Sequence, residues 1–229
     1  NTFYAYDPAH ATAIAAVRTK VTRMYAINTE QFDTAFDQAR AQTKKQLGHV
    51  AGAHSRLLYF QRMLEILGLG SQMLSALDFE QTYWRTFLST AELFDDAKEM
   101  LDDARLYGIP VAIVTDLTAQ IQFRKMVYFG LDHYIETIVT SEEAGIDKPS
   151  KAPYELALQK LAPKGTNYWM IGDNPVTDIE GGKAIGAATL QKLHTGVTAG
   201  IGNGEPDGFI YEFGELRKLL QTACEKAAA

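Results

Sequence analysis

Apolar residues recur along the chain with a period that changes partway. From Ala11 onward they fall at Ile14, Val17, Val21, Met24 and Tyr25, the three-and-four spacing of an amphipathic helix. The same spacing returns at Phe32, Ala35, Phe36 and Ala39, then at Leu57, Phe60, Leu64 and Leu67, and again around Tyr83, Trp84, Phe87 and Leu88. After a short aromatic start from Asn1 to Asp7, the chain therefore reads as helical up to Glu92.

The pattern changes after Phe94. Asp95 to Tyr107 predicts a helix, with Asp95 available to cap its start and Gly108 to stop it. Ile109 to Thr115 is the β-branched run of a buried parallel strand, with Pro110 confined to its first residues. Helices at 118–128, 152–161 and 179–185 then alternate with short apolar runs at 137–140, 167–171, 187–190 and 209–210, and a last helix starts near Phe213. Alternation of this kind predicts an α/β fold, a Rossmann-like parallel sheet with helices on both faces. The helical block ahead of it reads as an insertion, giving a core of residues 1–10 and 93–229 and an all-helical domain of residues 11–92.

Composition narrows the class. The chain has 229 residues, 46% of them apolar, and 22 Lys+Arg against 28 Asp+Glu give a net charge of −6. That length supports one large domain or a core with a smaller insertion. No apolar run approaches the ~20 residues of a membrane span, so no membrane partner is expected. The lone Cys224 cannot form an internal disulfide, and a cytoplasmic enzyme is the expectation. Basic runs no longer than pairs such as Lys44-Lys45 argue against nucleic acid, whose phosphates call for clustered cations. Phosphate on a small molecule stays open.

In open parallel sheets ligands bind outside the carboxyl ends of the strands. Three such ends carry polar groups here: Thr115-Asp116, Lys148-Pro149, and the run Gly172-Asp173-Asn174-Pro175-Val176-Thr177-Asp178. Each has an ordinary use taken singly. Thr115 suits a turn, Lys148 a solvated surface, and Asp173 and Asp178 the start of a loop and a helix cap.

Their ordered combination resembles the haloacid dehalogenase-like hydrolase superfamily. Its second motif is an apolar strand ending in Thr or Ser, its third a lysine, and its fourth Gly-Asp followed by four residues and Asp. Thr115, Lys148 and Asp173/Asp178 match in kind and order, as does the Gly-Ile-Asp-Lys-Pro context of residues 145–149. The family opens with a strand ending Asp-x-Asp-x-Thr, of which Asn1-Thr2 would be the last two residues. The nucleophilic first Asp and the acid/base second Asp are therefore expected just upstream of Asn1. A sheet lacking that central strand would leave its neighbours unpaired in the core.

The resemblance implies a Mg²⁺-dependent phosphatase that hydrolyses a small phosphorylated substrate through an aspartyl-phosphate. It implies catalytic roles for Thr115 and Lys148, with the Thr115 hydroxyl donating to the phosphate helped by the backbone amides of Asp116, the substrate-binding residue, and Leu117, and Asp173 and Asp178 at the metal. Asp178 would either hold a metal-bound water or steady Lys148. Gly172-Asp173 favours the metal-dependent phosphatases over haloacid dehalogenases, which carry neutral residues there. A non-catalytic binding scaffold is the main competing reading, with a phosphomutase behind it. The block from Ala11 to Glu92 corresponds to the family's inserted cap, with hinges near Tyr6 to Pro8 and Ala91 to Asp95.

His54 and Arg56, at a predicted helix start, are candidates to meet a second anionic group or are simply a solvated helix end. His10, His49, His133 and His194 have no metal-cluster spacing, and Tyr83, Trp84 and Phe87 suit packing. The sequence leaves the oligomeric state open.

Overall fold

Residues 6 to 90 fold as α1 (Tyr6–Tyr25), α2 (Thr29–Leu47), a short 3-10 turn (Ala51–His54), α3 (Arg56–Ile66) and α4 (Met73–Thr90) in the computed structural model, which describes residues 1–163 and 165–228. α1 starts earlier than the apolar spacing predicts. Asp7 and Pro8 suit its first turn, one by its charge at the positive helix end and the other because it has no N–H to lose. α2 starts on a capping box, in which Asn28 Oδ1 accepts from Gln31 N at 2.8 Å and Gln31 Oε1 accepts from Asn28 N at 2.9 Å.

The predicted apolar face of α1 is buried at Ile14, Val17 and Val21, whereas Met24 near its end is 49% exposed. α1 packs on α4, and α3 packs on both α2 and α4. The core between them is aromatic: the Phe60 ring lies 5.6 Å from Phe36 and 6.2 Å from Phe79, with Tyr59, Tyr83 and Phe87 also buried. The sequence places Leu57 and Leu67 on the buried face of α3. The face that is buried carries Tyr59, Phe60, Met63 and Leu64.

The chain divides into two compact units, Tyr6–Ala91 and Asn1–Ala5 with Glu92–Ala229. The second unit holds α5 (Ala97–Leu106), β1 (Ala112–Thr115), α6 (Ala119–Phe129), β2 (Thr137–Thr140), the short α7 (Ser141–Ala144), α8 (Lys151–Leu161) and β3 (Trp169–Gly172). A wide turn (Pro175–Glu180) runs into α9 (Gly181–Ala184), followed by β4 (Ala188–Lys192), β5 (Gly208–Ile210) and α10 (Phe213–Ala228). The strands are parallel, each joined to the next by a crossover connection. β1 pairs with β2, Thr115 opposite Thr140, and β4 lies between β3 and β5. The single predicted sheet is thus two parallel ladders, with β1 and β3 each at an edge.

Asp95 does not cap α5. The helix begins at Ala97, and Asp96 precedes it in a left-handed conformation, its carboxylate accepting from Arg217 at 3.0 Å. Arg217 also donates to Asp103 at 2.6 Å and so ties α10 to α5. At the other end of this unit's chain, Phe3 stacks on Phe213 at 5.5 Å and Tyr4 bridges Leu93 in antiparallel fashion. No helix among the described residues is long and apolar enough to cross a membrane.

Within the helical unit, His10 Nδ1 shares a 2.7 Å hydrogen bond with the Tyr83 hydroxyl, and its ring stacks on Tyr6. Burial, and then the positive charges of Arg56 and Arg40, lower its pKa from 6.5 to about 4. Because the folded value lies below the unfolded one, the unfolded chain binds the extra proton first. Stability is therefore expected to fall as pH drops from about 6.5 towards about 4. Urea unfolding across that window should show a smaller loss in His10→Gln than in the parent, and an equal loss would contradict this account.

Candidate active site

Strand ends and side-chain ties bring three of the predicted segments together. β1 ends at Thr115, whose hydroxyl donates to the Asp116 carbonyl at 3.1 Å and accepts from Gln122 Nε2 at 2.6 Å. Further along this loop, Leu117 has φ 109°, a conformation that side-chain-bearing residues rarely adopt. The loop is pinned from the neighbouring strand end. Leu117 N donates to Ser141 Oγ at 3.1 Å, and Ala119 N donates to Glu142 Oε2 at 2.8 Å. The Leu117 amide, expected to face a phosphate, is thus engaged inside the protein.

The sequence offers the Asp116 amide to substrate, and the structure gives its side chain a separate use as a brace, with Oδ1 accepting from the backbone N of Lys148 at 2.9 Å. That bond fixes the start of the lysine. Its far end, Nζ, donates to Asp178 Oδ1 at 2.6 Å, with the two side chains only 10% and 6% exposed. Asp178 Oδ2 accepts from Asn174 N at 3.0 Å, and Asn174 Oδ1 in turn accepts from the amides of Val176 and Thr177. Lys148 and Asp178 thus form a buried pair held at both ends. Burial works against both charges, but Asp178, Asp116 and Asp173 hold the Lys148 ammonium above the usual lysine range. Lys148 and the Asn174 amide likewise hold Asp178 below the usual carboxylate range, against its own burial.

Gly172 permits this packing. A Cβ there would fall onto the Asp178 side chain. The following residue, Asp173, is 8% exposed, and its carbonyl accepts from Gln191 Nε2 at 2.9 Å. Its carboxylate accepts from the Thr2 hydroxyl at 3.2 Å and lies 3.4 Å from the backbone nitrogen of Asn1. Asp178 has matched its charge with Lys148, whereas no Lys or Arg side chain among the described residues pairs with Asp173. Asp173 is therefore the carboxylate with capacity left for a cation. Among the described residues no group of three or more His, Cys, Asp or Glu side chains surrounds a metal position. A single protein carboxylate still suits Mg²⁺, which keeps several waters and shares phosphate oxygens.

Thr115, Asp116, Lys148, Asp178 and Asp173 are therefore linked through bonded neighbours at the ends of β1 and β3. Gln122, Ser141, Asn174 and Gln191 complete the arrangement, and none of them stands out in the sequence as a candidate. Gln122 is legible in retrospect as a polar residue on the apolar face of α6, where it is 6% exposed.

A family model for haloacid dehalogenase-like hydrolases matches residues 1–186. The chain is 34% identical over 191 residues to a ribulose-1,5-bisphosphate 5-phosphatase of Halopiger xanaduensis, covering 83% of this chain and 80% of that one. A phosphoserine phosphatase of Thermus thermophilus is 32% identical over 98 residues, 43% of this chain and 39% of that one. Among solved structures, a 2-haloacid dehalogenase from Pseudomonas syringae superposes with a TM-score of 0.75 at 19% identity, over 97% of this chain and 95% of that one. That last likeness speaks for the fold alone.

Removing one member of the buried pair strands the other. Asp178→Ala is expected to cost about 3–5 kcal/mol in urea unfolding. The double variant Asp178→Ala/Lys148→Met should recover part of that loss, and equal loss in both would show that the pair is not what the site rests on. Gly172→Ala is expected to cost about 1–3 kcal/mol by overpacking against Asp178.

Proposed function

The chain belongs to the haloacid dehalogenase-like hydrolase family, and from that premise we propose that it is a Mg²⁺-dependent phosphatase acting on a small phosphorylated metabolite. The observation that carries the reading is a buried lysine locked by Asp178 next to Asp173, a carboxylate that no lysine or arginine among the described residues neutralises. Moving a phosphoryl group is mainly a matter of offsetting charge on its oxygens, with groups already in position before the reaction. Two relatives named as phosphatases, one of a sugar bisphosphate and one of phosphoserine, support a phosphate ester as substrate.

In this reading Lys148 faces the phosphate with its ammonium aimed by Asp178, while Asp116 fixes its backbone. The Thr115 hydroxyl turns from the Asp116 carbonyl to donate to a phosphate oxygen. Asp173 holds Mg²⁺, which when bound supplies positive charge against the phosphate oxygens. The nucleophile is a carboxylate. Its oxygen attacks phosphorus, the bond to the alcohol oxygen breaks, and a second carboxylate protonates the leaving alcohol. Water, deprotonated by that same group, then hydrolyses the aspartyl-phosphate. Both carboxylates are assigned to residues leading into Asn1, a proposal supported by the approach of Asn1 N and Thr2 Oγ1 to Asp173. The helical unit is assigned the role of a cap that selects substrate, and the lone Cys224 suits a reducing cytoplasm.

Release of inorganic phosphate from an aryl phosphate by the full natural chain tests the reading. Activity is expected with Mg²⁺ and lost with EDTA. Asp173→Ala should reduce it below detection, and Lys148→Ala by about 100-fold or more, the scale of losing one preorganised electrostatic contact. Turnover that survives chelation would overturn the metal assignment.

A further inference from the structure

Among the described residues, the helical unit contains a cation without a counter-ion. Arg18, Arg62 and Arg217 each pair with a carboxylate, at 2.8, 3.0 and 2.6 Å. Arg56 differs from them. Its guanidinium carbon lies 5.4 Å from the ring centre of Tyr59, 5.2 Å from Tyr83 and 5.7 Å from Trp84. These rings are 1%, 0% and 4% exposed, so the cation is set into an aromatic box. An arginine offers five N–H donors. One nitrogen donates to the His54 carbonyl at 2.8 Å and another to the Tyr6 hydroxyl, while Nε is buried with no partner.

Aromatic faces return part of the lost hydration of a guanidinium, on the order of 2 kcal/mol when desolvated. They leave its charge without a carboxylate partner and its Nε without an acceptor. Two further features carry the same sign, and a pair of hydroxyls lies beside them. Arg56 is the first residue of α3, at the positive end of that helix. Arg40 adds a second positive charge felt at His10, and the Tyr6 and Tyr83 hydroxyls lie 3.3 Å apart beside the arginine. Tyr6, His10 and Arg56 keep partial exposure, so solvent touches the edge of the cluster.

We infer that Arg56, with Tyr6 and the start of α3, forms an oxyanion-binding site within the helical unit. Its ligand class is a small anion with at least two oxygens on one centre, a phosphate group above all, because the guanidinium fork takes two such oxygens at once. The anion would supply the missing acceptor for Nε and the missing negative charge. This inference stands on the helical unit alone and does not require the proposed phosphatase reaction.

Trp84 provides a local reporter, since the chain has two tryptophans and Trp169 can be replaced by Phe. In the Trp169→Phe protein, titration with inorganic phosphate is expected to give a saturable change in Trp84 emission. Arg56→Gln should weaken the apparent affinity at least tenfold. Arg56→Lys, which keeps the charge but loses the fork and is the milder change for folding, should weaken it by a smaller factor. Adding Asp173→Ala, which takes turnover in the proposed reaction below detection, should leave the response intact, so the two readings can fail separately. In that Asp173→Ala background glycerol phosphate stays uncleaved. Tighter binding than inorganic phosphate identifies an organic phosphate as the ligand, and weaker binding identifies the free ion. A phosphate series with no saturable Trp84 change, or with equal affinity in folded Arg56→Gln and Arg56→Lys, overturns the site.

Discussion

One buried ion pair organises the core unit. Lys148 and Asp178 meet at 2.6 Å in surroundings that would penalise either charge alone. Such a pair adds little net stability by comparison with apolar packing, but it fixes geometry, because neither partner can leave without stranding the other. Its two ends are anchored by separate loops. Asp116 holds the lysine's backbone, and Asn174 with its own amide ties holds the aspartate, so the ends of β1 and β3 are mechanically linked to the same ammonium.

That arrangement leaves one charge over. Asp173 sits beside the pair with no lysine or arginine of its own among the described residues, and the glycine before it leaves room for the Asp178 side chain. The helical unit shows the opposite imbalance at Arg56, a cation boxed by aromatic rings in a chain whose net charge is −6. Both carry a cost, since taking a charge out of water is unfavourable unless an opposite charge answers it. Both are the kind of imbalance that a bound ion or a charged ligand removes.

The fold itself does not select the chemistry. Parallel strands joined by helices, with a helical insertion, are shared with a dehalogenase at a TM-score of 0.75. What distinguishes members is the identity of a few side chains at strand ends, and fold alone supports many reactions. In the proposed reading the acidic residue after Gly172 is the discriminating feature, and it belongs to a short, locally readable stretch of chain.

Local chemistry along the chain pointed to most of the elements and nominated the candidate residues. β-branched runs made β2 at 137–140, apolar spacing made the helices, and the order of Thr115, Lys148 and Gly172-Asp173 to Asp178 carried the family resemblance, because those signals are local or depend only on chain order. Which groups would meet was a matter of packing. Asp116 braces Lys148, Asp178 pairs with the lysine, Asp96 bonds Arg217 instead of a helix end, and Arg56 sits among three rings. Most of those outcomes join residues far apart along the chain, where charge and hydrogen-bond capacity are matched only once packing has removed water, and no periodicity records which groups will meet.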